Sequence, residues 1–241
     1  MDTTFLVLTF AGLITGFSKF SVGGMGLLIV PIMMIAFPGP EALGMLLPLY
    51  LITDVMAVLS YRSKVAWSVL WHFIPLVLLG MLIGSYVLAT IDPDDFVITL
   101  GVIMISMIGL SLYLEYRPAT FMQTNSAAYG MGFISGLISM ISNAAGPVFS
   151  LFLLEQKLDK ETYVSTRTWI LFMINMLKIP LFIPLGLLTQ DSIISSFQGV
   201  PGLMVGAFIG YHFLKKVNPS QFKWLIRIMA TLAACKLFLF S

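Results

Sequence analysis

Eight apolar stretches, each long enough to cross a bilayer, take up almost the whole chain. They cover residues 3–37, 41–61, 66–90, 95–114, 126–154, 161–188, 192–214 and 220–240. A helix needs about 20 residues to traverse a hydrocarbon core of ~30 Å. The sequence therefore reads as an all-α polytopic membrane protein, one domain over residues 1–241. Composition agrees: 59% of residues are hydrophobic and 10% charged, with mean hydropathy +0.98. Soluble domains hold about 45–50% apolar and about 25% charged residues. A chain this apolar cannot cover a water-facing surface, which excludes a soluble enzyme, a nucleic-acid-binding module and a disordered chain. The net charge of +2 is too small to imply a polyanionic partner. The single cysteine, Cys235, leaves no intrachain disulfide and no CxxC motif. The start, Met1-Asp2, lacks the basic region of a signal peptide, and the apolar run continues past a signal-peptide core. The first segment is expected to be retained.

The two halves resemble each other. Leu13-Ile14-Thr15-Gly16 matches Phe133-Ile134-Ser135-Gly136 at an offset of 120, as do Gly26 with Gly146 and Glu41 with Glu161. Later the offset becomes 126, pairing Pro75, Gly80 and Gly84 with Pro201, Gly206 and Gly210. Ordered glycine and proline matches indicate internal duplication, the common plan of secondary transporters. Repeat one is assigned to residues 1–115, a linker to 116–125 and repeat two to 126–241.

Equivalent loops of the two repeats carry opposite charge. The loop holding Arg62 and Lys64 corresponds to Thr189–Asp191, which has an acid and no base. The loop holding Asp92, Asp94 and Asp95 corresponds to one with Lys215, Lys216 and Lys223. Lysine and arginine collect on the cytoplasmic side, so the repeats are expected to be inverted. Inversion requires an odd number of crossings per repeat. The first segment of each repeat must then be a broken-helix hairpin, followed by three transmembrane helices. The competing arrangement is eight simple crossings with parallel repeats.

The predicted bends are Ser21-Val22-Gly23-Gly24-Met25-Gly26 and Ser142-Asn143-Ala144-Ala145-Gly146-Pro147. Backbone exposed at membrane depth is tolerated only where protein or a water-filled cavity satisfies it. A bend also presents a helix N-terminus, whose free N–H groups suit an anion. Ser21, Gly23, Gly24, Gly26, Ser142, Asn143, Ala144 and Gly146 are therefore candidate substrate contacts.

Four ionisable residues interrupt the apolar segments: Lys19, Asp54, Arg167 and Lys178. Charges inside a bilayer are costly and face a cavity or a partner. Three bases against one acid favour an anionic substrate. Lys19, Arg167 and Asn175 join the candidate substrate contacts, and Asp54, His72 and Lys178 are candidates for coupling. Two plainer readings stand beside these: a Lys19–Asp54 salt bridge, and snorkelling of Arg167 to the interface. Nothing in the chain suggests a metal site, a cofactor, a nucleotide loop or a nucleophile–base pair.

The doubled glycine-rich break, Gly16…Gly23-Gly24-Met25-Gly26…Pro31 and Gly132…Gly136…Gly146-Pro147, resembles the TauE/SafE family. The resemblance covers nearly the whole chain. It implies a multi-pass cell-membrane exporter of sulfite or a small organosulfonate. The partners expected are a small inorganic or organosulfur anion and the lipid bilayer, without nucleic acid, and a homodimer is compatible with the reading. Alternating access about the two bends is the expected mechanism. A passive anion channel using the same bends is the alternative, and an intramembrane enzyme lacks supporting residues.

Overall fold

The computed structural model describes residues 3–21, 26–62, 64–116, 120–143 and 145–216. The predicted last segment, 220–240, lies outside them. Among the described residues every regular element is helical. Helix α1 spans Thr3–Phe20, α2 Gly26–Met33, α3 Glu41–Ser60, α4 Trp67–Thr90 and α5 Pro93–Tyr116. The second half holds α6 Asn125–Ser142, α7 Ala145–Glu155, α8 Lys160–Phe182, α9 Gln190–Ser196 and α10 Val200–Lys216. By length and composition α1, α3, α4 and the run 190–216 can each cross a membrane. The chain is a multi-pass membrane protein.

In both long first segments a helix ends part-way, α1 at Phe20 and α6 at Ser142, and a second helix begins at Gly26 and at Ala145. The second break has a clear local cause. Asn143 ends α6 at φ 54°, in the left-handed region that asparagine tolerates better than most residues. Pro147 then falls in the first turn of α7, where a missing N–H costs nothing. Side-chain caps define other starts. Thr124 accepts from the Ala127 amide at α6, and Asp159 accepts from the Glu161 and Thr162 amides at α8.

Glycines set the packing, because lipid gives helices no hydrophobic reason to associate and close backbone approach must do so. Helix α1 lies along α10. A Cβ at Gly16 would fall 2.2 Å from the Leu203 carbonyl oxygen, and one at Gly206 would fall 2.0 Å from that of Leu13. Helix α6 lies along α4 in the same manner. A Cβ at Gly136 would meet the Val77 oxygen at 2.1 Å, and one at Gly80 the Phe133 oxygen at 2.1 Å. Each half thus lends its first helix to the other half. Helices α3 and α8 pack between these pairs, and rings of Phe73 and Phe149, 4.5 Å apart, join α4 to α7.

Polar contacts sort the loops onto two faces. On one, Lys64 pairs with Glu161 at 2.8 Å, Lys160 donates to the Leu214 carbonyl at 2.6 Å, and Gln156 donates to that of Met122. On the other, Ser196 donates to the Met45 carbonyl at 2.6 Å, and Gly44 touches Leu187. Helix α3 therefore runs from the second face to the first, and α8 runs the opposite way. Helix α4 and helix α10 are opposed in the same sense. Arg62, Lys64, Lys157, Lys160, Lys215 and Lys216 belong to the first face. The second holds Glu41, Asp92, Asp94, Asp95 and Asp191, with no lysine or arginine among its described residues.

Candidate functional site

Residues from both halves of the chain line one cavity of about 30 Å³. Thr15, Ser18 and Lys19, at the end of α1, line it with Ile29 of α2 and Tyr50 of α3. Ser139 and Asn143, at the end of α6, line it with Ala145 and Gly146, the first two residues of α7. Arg167, Leu171 and Asn175 of α8 complete the wall.

All four ionisable residues that interrupt the apolar segments gather here. The Lys19 ammonium forms an ion pair with Asp54 Oδ1 and lies 5.1 Å from the Tyr50 ring centroid. Asn175 Nδ2 donates to the other carboxylate oxygen, Oδ2, at 2.6 Å. Asp54 is fully buried, with a charged and a neutral donor on its two oxygens. Lys178 Nζ donates to Asn143 Oδ1, and Asn143 Nδ2 donates to the Leu43 carbonyl at 3.5 Å. Helix α8 thus holds the second bend in place.

Arg167 behaves differently. It is 2% exposed, and its Nη2 donates to the Ser18 carbonyl at 3.2 Å. Its Nε has no protein partner, and among the described residues it forms no ion pair. Thr15 Oγ1, Tyr50 Oη and Ser139 Oγ, also on the cavity wall, are buried without a protein partner. Leaving a buried donor unsatisfied costs about 1–3 kcal/mol, and more for a charged group. Four such atoms on one wall, next to the amino end of α7, form a ready set of donors. Cationic, hydroxyl and helix-terminal N–H donors together suit an oxyanion.

A family model described as "Sulfite exporter TauE/SafE" matches residues 8–237. The chain belongs to this family. Comparison with curated proteins and with solved structures gave no match. The family's members are membrane transporters of the sulfite-exporter type, and this member has the helical, apolar build that such a role requires.

Of the residues singled out by sequence, Lys19, Asn143, Gly146, Arg167 and Asn175 line the cavity. Asp54 and Lys178 stand directly behind it, bonded to lining residues. Gly26 opens α2, while Gly23, Gly24 and Ala144 lie outside the described residues. Three others stand apart from the cavity wall. Ser142 does not offer a free hydroxyl: its Oγ donates back to the Ile138 carbonyl at 2.9 Å. Ser21 is buried but is not part of the cavity wall. His72 is half-buried elsewhere, its Nδ1 2.7 Å from the Ser68 carbonyl and its ring edge-on to Tyr129. The snorkelling alternative for Arg167 also fails, since its guanidinium points inward. The Lys19–Asp54 salt bridge is present, but it adjoins the cavity rather than competing with it.

Sequence reading missed Thr15, Ser18, Tyr50 and Ser139 as lining residues. Thr15 lies one turn before Lys19, and Tyr50 one turn before Asp54. Helical spacing from each buried charge would have pointed to both.

Proposed function

We propose that the protein exports a small oxyanion, sulfite or a small organosulfonate, across the cell membrane by alternating access. The observation that carries this reading is Arg167: a buried guanidinium that forms no ion pair among the described residues, with an unpartnered Nε, lining a cavity with unpartnered hydroxyls. An anion of three oxygens would accept from Arg167, from the hydroxyls of Thr15, Tyr50 and Ser139, and from the first amides of α7. Family membership supports the substrate class.

The inverted-repeat plan is part of the proposal, with residues 1–115 and 126–241 as repeats about a short linker. The opposite senses of α3 and α8, and of α4 and α10, support it. So does the recurrence of contacts at the sequence offsets: Gly16 on Leu203 mirrors Gly136 on Val77, and Gly206 on Leu13 mirrors Gly80 on Phe133. Asp54 touches Asn175, 121 residues on. Contact between such equivalents is what a pseudo-two-fold axis through the site would give. The face rich in lysine and arginine is assigned to the cytoplasm. One repeat rocking against the other would then open the cavity to each side in turn.

The test is sulfite efflux from proteoliposomes holding the full chain. Wild type should show saturable flux. Arg167→Met should reduce it at least tenfold while keeping yield and thermal stability. Full flux by a stable Arg167→Met protein would overturn the assignment of the site, and flux without saturation would favour a channel.

A further inference from the structure

The Lys19–Asp54 pair beside an unpaired Arg167 carries an inference that rests on the anion-transport reading and deepens it. We propose that Asp54 takes up one proton when the anion binds, so that anion and proton occupy the site together.

Lys19, Arg167 and Lys178 each already hold an acceptor, so an entering anion competes for donors that are engaged. Arg167 is anchored on the Ser18 carbonyl and Lys178 on Asn143. Lys19 has the most freedom, since its side chain is 11% exposed whereas that of Asp54 is fully enclosed. Its ammonium sits on a flexible stem and can turn from one acceptor to another.

The Asp54 carboxylate is in effect a tethered anion already holding the Lys19 ammonium. An entering anion competes for that ammonium. When Lys19 turns to the newcomer, Asp54 is left with Asn175 on one oxygen and a second negative charge close by, in a setting where repulsion is weakly screened. A proton added to Asp54 Oδ1 removes the repulsion. The carboxylate becomes a carboxylic acid, Lys19 keeps its three protons, and the incoming proton is drawn from the water on whichever side the cavity faces.

Charge balance supports the step. Lys19, Arg167, Lys178 and Asp54 together carry a net charge of two positives when ionised. A monoanion and one proton leave that total unchanged, so the loaded site holds the same charge as the empty one. The groups that act on Asp54 are Lys19 from α1, Arg167 and Lys178 from α8, and Tyr50 from its own helix. Helix α2 contributes no titratable side chain. On α10, Tyr211 lies against Tyr61 beyond the end of α3, and Asp191 of α9 is exposed. No second acid is present among these to take the proton instead.

Calorimetric titration of the full chain in detergent with methanesulfonate and with sulfate tests this, in two buffers of different ionisation heat. Neither probe gains a proton near neutral pH, so any uptake belongs to the protein. Wild type should take up about one proton per methanesulfonate, with affinity falling by up to about tenfold per pH unit. Asp54→Asn, which mimics the protonated carboxyl, should bind without proton uptake, with affinity at or above that of wild type and independent of pH. Anion binding by wild type without proton uptake would overturn the inference, a result that needs no variant. Uptake that persists in Asp54→Asn would overturn it too. If neither probe binds wild type, the anion reading itself fails and the inference falls with it.

Discussion

Lys178 of α8 donates a hydrogen bond to Oδ1 of Asn143, the residue that ends α6 at φ 54°. A lysine near the carboxyl end of one helix thereby holds the end of another. The contact links the end of α6 to the helix that carries Arg167 and Asn175.

That link predicts an order of stabilities. Asn143→Ala loses both the left-handed preference and the acceptor for Lys178, costing about 2–4 kcal/mol. Asn143→Gly keeps the backbone at ease and loses only the acceptor, so its loss should be smaller. Thermal unfolding in detergent measures both. Equal losses would mean that backbone conformation contributes nothing at this bend.

Helix contacts through glycine predict a sharp contrast between two alanine substitutions. At Gly206 the new methyl would lie 2.0 Å from the Leu13 carbonyl oxygen, so α1 and α10 must separate. A cost of about 1–3 kcal/mol or more is expected. At Gly130, on an exposed part of α6, the methyl meets nothing within 4 Å. There alanine should be neutral or stabilising by up to about 1 kcal/mol. Unfolding midpoints that move alike in the two variants would refute the close packing of α1 on α10.

The two-face arrangement predicts labelling from opposite sides. In a Cys235→Ser background, single cysteines replacing Lys64 and Lys215 should react with an impermeant thiol reagent only from the cytoplasm. A cysteine replacing Asp94 should react only from outside. The reason is connectivity: Lys64 pairs with Glu161, and the neighbouring Lys160 reaches the Leu214 carbonyl. Reaction of Lys64→Cys and Lys215→Cys from opposite sides would break the inverted-repeat proposal.

A pH dependence follows at the start of α8. The Thr162 side chain donates to the Asp159 carboxylate, and the backbone amides of Thr162 and Glu161 add to it. Together they hold Asp159 below its ordinary value of 3.8. A carboxylate depressed on folding stabilises the folded state above its unfolded pKa and stops doing so as pH falls through the folded one. Asp159→Ala should therefore unfold at a lower temperature than wild type above about pH 4. The gap should close as the pH is taken below 3.8. A gap constant across that range would show that the cap acts through shape and not through charge.

Much of this protein is decided by its sequence against the bilayer as solvent. The apolar lengths set the helices, and α1 and α6 end at Phe20 and Ser142, beside the bends marked at Ser21–Gly26 and Ser142–Pro147. The sorting of acids and bases between loops matches the two faces. The expense of burying Lys19, Asp54, Arg167 and Lys178 marks them in the sequence itself. These features are local, each readable from a run of neighbours and the medium around it. The partners of those charges are not local. Asp54 meets Asn175 across 121 residues, and Arg167 meets Ser18 across 149. Nor could sequence separate a hydroxyl that bonds its own helix from one that faces a cavity. Ser142 spends its proton on Ile138, while Ser139, three residues earlier, lines the site without a partner. Only the packing of α1 on α10 and of α6 on α4 decides which side of a helix is enclosed. That is why Thr15, Tyr50 and Ser139 became visible with the tertiary structure, and why His72 stands apart from the cavity.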